Sequence, residues 1–147
     1  GGGRNTDEGF HIAAGAVTQV VGTFQASQLG IYSAQTILKT TNIVSTGNQM
    51  LVFAAVTIDY SYYYNQPGDA GNCVISLYRD GTQLFSDSTT LRFVAVSTSG
   101  TLLFAFPPWT DTPVAGTYAY TIRAQIQGRN LLATARNAAI AVVEAKR

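Results

Sequence analysis

Cysteine, histidine, methionine and tryptophan each occur once in this chain of 147 residues, proline occurs four times, and only 12% of the side chains are charged. Each shortage excludes something. A lone thiol, Cys73, cannot supply an internal disulfide framework. The lone imidazole, His11, would have to serve any Ser-His-Asp or Cys-His relay, yet it stands in a glycine-containing segment that suits an incidental surface histidine better. No histidine or glutamate pair has zinc-ligand spacing, and Asp69 with Asn72 offers too few oxygens for calcium in what reads as a solvated loop. Glycine-rich spacings precede no helix start, so no phosphate cradle is indicated. Two-carboxylate chemistry would need Asp59 and Asp111 brought together from distant strands. These shortages point away from an enzyme and imply no metal or other cofactor.

Charge of one sign is missing as well. Nine Lys and Arg stand against eight Asp and Glu, and Arg79, Arg92, Arg123, Arg129 and Arg136 are scattered without a basic run. Nothing here is an electrostatic footprint for nucleic acid or a membrane surface. The apolar runs break well short of the ~20 residues that cross a bilayer as a helix. Low charge also weakens repulsion between copies, which favours a chain that assembles.

What is plentiful is Thr, Ser, Ala, Gly and Tyr in short alternating runs bounded by turn residues. The clearest runs from Pro107 to Ile126. Pro113 and Gly116 set a turn, after which Tyr118, Tyr120, Ile122, Ala124 and Ile126 share one face of a strand, with Thr117, Thr121, Arg123 and Gln125 on the other. Met50 to Ile58 is apolar at nearly every position and reads as a strand buried on both faces. Residues 65–72 read as a loop, Asp80-Gly81 is a strong hairpin signal, and the run from Leu91 to Val96 is expected to pair with Thr101–Phe106. The alanine-rich run Asn137–Glu144 reads as a strand because Val142-Val143 and the upstream rhythm outweigh helix propensity. The sum is an all-β protein: an antiparallel two-sheet β-sandwich of jelly-roll type with about eight to ten strands. Residues 1–21 are expected as an N-terminal arm or linker and 22–147 as a single jelly-roll domain.

The buried central strand, the Leu77-Tyr78-Arg79-Asp80-Gly81 hairpin and the segment Asp111–Tyr120 together resemble the tumour-necrosis-factor and C1q-like jelly-roll superfamily, bacterial spore-surface and phage fibre heads in particular. The resemblance spans residues 40–147, and its strand-starting Gly-x-Tyr-x-Tyr signature falls on Gly116, Tyr118 and Tyr120. It implies a non-enzymatic structural or adhesion module on the outside of a cell, spore or virion, self-associating as the trimeric head of a fibre. Residues 1–38 depart from a Gly-x-y stalk beyond the first three glycines. That departure leaves room for a filament subunit whose N-terminal arm adds as a strand to its neighbour. A coat subunit and a carbohydrate-binding head are further readings. Candidate subunit contacts are Phe10, Ile12, Val17, Tyr60, Tyr62, Tyr118 and Tyr120. Candidate ligand-binding residues, for a surface glycan or receptor, are Tyr63, Tyr64, Asn65 and Trp109, because aromatic side chains offer apolar area with a hydrogen-bonding end.

Overall fold

The computed structural model describes residues 17–146 except 27, 33 and 65. The described residues form twelve strands in sequence order: β1 (Val17–Ala26), β2 (Leu29–Ile31), β3 (Gln35–Lys39), β4 (Ile43–Ser45), β5 (Met50–Tyr62), β6 (Ala70–Arg79), β7 (Thr82–Arg92), β8 (Thr98–Ala105), β9 (Trp109–Asp111), β10 (Gly116–Tyr118), β11 (Tyr120–Gln127) and β12 (Leu131–Lys146). One sheet runs β1-β12-β5-β8, with β2 also on β12 and β9 also on β5; the other runs β3-β11-β6-β7, and β4 pairs with β10 as a small third ribbon. Every pairing is antiparallel. The two larger sheets face each other and the chain crosses between them at β2–β3, β5–β6, β7–β8 and β11–β12, the arrangement of a jelly-roll sandwich.

Period-two alternation decides what lies between the sheets. From β5, Met50, Val52, Ala54, Val56 and Ile58 point inward; from β12, Ala133, Ala135, Ala138, Ile140 and Val142; from the facing sheet, Cys73, Ile75, Leu77, Tyr120, Ile122 and Ala124. A second, smaller cluster of Tyr62, Leu91 and Phe93 closes one end.

Four expectations change. β5 is not buried on both faces: Leu51, Phe53, Ala55 and Thr57 point outward, and Phe53 is 41% exposed. Residues 91–96 do not pair with Thr101–Phe106, because β7 continues to Arg92 along β6 while β8 pairs with β5. The polar stretch Ser86–Thr90 is therefore strand, and its hydrophilicity reflects an edge position with little of it buried. The loop expected over 65–72 is shorter, since Ala70 already begins β6. Finally, residues 17–21 belong to β1, where Val17 pairs with Lys146 and Val20 with Val143, so the portion of the arm from Val17 onward is spent inside its own sheet.

The Asp80-Gly81 hairpin forms as expected, with Asp80 at φ 49°. Asn137 also takes a positive φ, 53°, at the bulge where the β12–β5 register shifts between Arg136 and Ala139. The bulge lets Ala135 and Ala138, three apart, both face the core.

Gly71 is a glycine whose missing side chain matters to packing, because backbone as well as side chain crowds it. A Cβ there would lie 2.8 Å from Leu131 Cδ2 and 3.0 Å from the Gln127 carbonyl oxygen, whereas one at Gly81 would meet nothing within 4 Å. Gly71→Ala is expected to lower unfolding stability by about 1–3 kcal/mol, and Gly81→Ala by less than ~0.5 kcal/mol, as read by denaturant titration.

Candidate functional site

Three of the sequence candidates, Phe10, Ile12 and Asn65, lie outside the described residues, as does His11. Val17 is the first residue of β1. Tyr62 and Tyr120 were expected at a subunit seam, but both are buried in the chain's own core, at 3% and 0% exposure. The reason is phase: alternation places them on the inward faces of β5 and β11 with the aliphatic core residues. Tyr62 packs on Phe93 at a centroid distance of 4.0 Å with the rings tilted by 30°, and donates from its hydroxyl to the Arg92 carbonyl. Tyr60, half-buried, faces inward beside Tyr62 and lies over Gly100, its cross-strand partner.

Tyr118 is half-buried in β10, donating from its hydroxyl to the Val114 carbonyl at 2.7 Å. Trp109 also turns inward, packing on Phe85 at 5.8 Å, while Phe85 packs on Phe106 at 5.5 Å. This aromatic trio closes the sandwich between β7 and β9. Tyr63 and Tyr64 do reach solvent, the latter 77% exposed, and they meet edge to face at 5.4 Å.

The interior holds a polar cluster that joins the two sheets. Asp111, at the end of β9, accepts from the Tyr120 hydroxyl at 2.6 Å through Oδ2 and from Arg79 at 2.5 Å through Oδ1. Arg79 in turn lies 5.4 Å from the centroid of the Tyr118 ring. Burial first, then the hydrogen bond to the Asp111 carboxylate, pushes the Tyr120 phenol far above its ordinary range, so it stays a neutral donor. With both carboxylate oxygens engaged, Asp111 works as a tie between β9 of the first sheet and β6 and β11 of the second.

Asp59, the other acid considered for two-carboxylate chemistry, lies on the outer face of the first sheet. It accepts from Arg136 at 2.6 Å and from Thr101 at 2.8 Å. The Arg136 hydrogen bond is the main reason its carboxyl sits below the usual carboxylate range. Asp59 and Asp111 therefore occupy opposite faces of one sheet and serve separate partners. Cys73 is buried among Ile75, Leu77 and Ala124, and burial pushes its thiol up to about 11. No group of three or more metal-ligating side chains occurs among the described residues.

Sequence reasoning missed Glu144, whose side chain is completely buried. Its Oε2 accepts from the Thr46 amide at 3.0 Å and from the Thr46 hydroxyl at 3.2 Å, holding the β4–β5 turn against β12. Its signal was its phase: it follows Ile140 and Val142 at intervals of two.

The outer faces of the two sheets differ in chemistry. On the first, Leu51 pairs with Val143, Phe53 with Ala141, Ala55 with Ala139 and Ala105, and Thr57 with Leu103. Leu103 is 73% exposed, and a shallow hollow of about 300 Å³ opens beside Phe53 over Ala55, Ala139 and Ala141. The face is apolar, and no described residue covers it. On the second sheet the outward residues of β6, β7 and β11 are mainly hydroxyls and amides, with Tyr78 and Arg123 among them.

Two measurements check the interior. Tyr120→Phe leaves a buried carboxylate oxygen without its donor and is expected to cost about 1–3 kcal/mol; Asp111→Ala, which strands Arg79 as well, should cost more by chemical denaturation. For Cys73 the folded thiol binds its proton more tightly than the unfolded one, whose ordinary value is 9.0. Its contribution to stability is therefore full below pH 9 and is lost as pH rises through about 11. A thiol reagent at pH 8 should modify native protein at least ~100-fold more slowly than protein in denaturant.

No family model matches the chain, and no curated protein matches it. Among solved structures it is similar to one of infectious bursal disease virus Gt strain, at 12% identity and a TM-score of 0.45 over 97% of this chain and 36% of that one. A crystal structure of an IBDV viral particle is similar at 10% identity and a TM-score of 0.43, over 88% of this chain and 35% of that one. An infectious bursal disease virus subviral particle gives 11% identity and a TM-score of 0.34, over 90% and 37%. The chain thus spans about a third of the length of the chains it resembles.

Proposed function

We propose that this chain is a non-enzymatic structural module that associates with copies of itself to build the outside of a particle or appendage. The observation that carries the reading is the apolar outer face of the first sheet, which no described residue covers. Apolar faces bounded by polar residues are where proteins dock, and this one is bounded by Asp59, Arg136 and Thr101. A second copy is the occupant that fits best. The face presents protruding Phe53 and Leu103 beside an alanine-floored hollow, so it offers both knob and recess. The low overall charge, nine basic against eight acidic residues, leaves little repulsion between copies.

A three-fold arrangement is the form suggested by the resemblance of Gly116, Tyr118 and Tyr120 to the heads of fibres. The seam then runs through Phe53, Leu103 and Val143 in place of Tyr62 and Tyr120, which have no surface to share.

Light-scattering mass with negative-stain microscopy tests the reading. Discrete particles of three copies are expected at high micromolar concentration, and the double variant Phe53→Asp with Leu103→Asp should run as a folded monomer. A wild-type chain that stays monomeric overturns self-assembly, whereas filaments or closed shells overturn the three-fold form alone.

A further inference from the structure

The outer face of the second sheet, turned away from the proposed seam, carries a feature that self-assembly does not use. A groove of about 240 Å³ runs over β11, β6 and β7, lined by Val74, Ser76, Tyr78, Ser86, Arg123 and Gln125. Arg123 is exposed and makes no ion pair among the described residues. Its guanidinium lies 5.5 Å from the centroid of the Tyr78 ring. The Tyr78 hydroxyl donates to Gln83 Oε1 at 3.1 Å, and the Ser76 and Ser86 hydroxyls are 3.0 Å apart. The ring is thereby held at both its face and its tip, so the groove has a preset shape. No carboxylate among the described residues lines it.

We propose that this groove binds an acidic saccharide. The three parts of such a ligand each have a counterpart. A sugar carboxylate matches the planar, always charged guanidinium of Arg123, which donates two parallel N–H bonds to it. Ring hydroxyls match the serine hydroxyls and the Gln125 amide, which both donate and accept. The apolar side of a pyranose matches the Tyr78 ring edge and Val74. A lone cation among neutral hydrogen-bonding groups is poorly suited to nucleic acid, whose phosphates call for several cations in a row. It is equally poorly suited to a protein partner, since the groove lacks a desolvated apolar anchor. The groove stays open when the first sheet's outer face is covered, so an assembly would present several copies at once and gain by avidity.

Saturation-transfer difference NMR on the full chain, in whatever assembly state it adopts, provides the test, because the signal is read on the sugar. The probes are 3′-sialyllactose and digalacturonic acid, with lactose as the neutral control. Transfer to at least one acidic probe is expected, with lactose weaker by about tenfold or more, a difference worth ~1.4 kcal/mol. Arg123→Gln, an exposed substitution that should leave thermal unfolding unchanged, is expected to abolish the preference for the acidic sugar. Tyr64→Ala, on the exposed loop, is expected to leave binding untouched. The proposal is overturned if neither acidic probe receives transfer, if lactose binds equally well, or if Arg123→Gln binds like wild type. It is also overturned if sodium acetate competes as effectively as unlabelled sugar, which would mean recognition of the anion alone.

Discussion

The pairing of β5 with β12 is the constraint from which the rest follows. These are the two longest strands, and they lie side by side in the middle of the first sheet. Their joint phase fixes which side chains reach the interior and which reach the surface. A shift of one residue would exchange Val56 and Ile58 for Ala55 and Thr57 in the core, and bring Phe53 inside. The apolar outer face is the other half of the same decision. Because both strands carry apolar residues on both sides, no register leaves that face polar.

Hydrophobic packing alone would let two such sheets slide. The Asp111–Tyr120–Arg79 cluster restrains them, because each bond in it requires one relative position of β9 against β6 and β11. Buried charge is seldom a large net source of stability, since desolvation offsets much of the attraction, but it discriminates sharply between arrangements. Glu144 and Thr46 do the same at the β4–β5 turn. Polar groups thus specify the alignment and apolar groups supply the driving force.

The sequence made the fold class and several elements legible because alternation and turn chemistry are local signals. The Asp80-Gly81 hairpin and the inward face of Tyr120, Ile122 and Ala124 needed only neighbouring residues to be read. Strand partners were harder. The apolar character of residues 91–96 looked like half of a hairpin with β8, but pairing is set by which edge lies nearby, and β8 joins β5 from the far side of β6 and β7, with Tyr62 opposite Thr98. The site was the least legible part. Tyr62 and Tyr120 have the same composition signal whether they face a core or a neighbour, and only the facing sheet decides. The Arg123–Tyr78 groove spans β11 and β6, so no contiguous stretch announces it.

The position of β12 has a consequence for how the chain is made. It is the last described strand, yet it sits inside its sheet, between β1 and β2 on one edge and β5 on the other. Until Leu131–Lys146 has left the ribosome, β1 and β5 have no shared partner, and the backbone edges that β12 will pair with stand open. The first sheet cannot close progressively; it waits for its central strand. Long-range closure of this kind is slow and exposes unfinished chains to one another, so synthesis order decides how long those edges stand open before the sheet is complete.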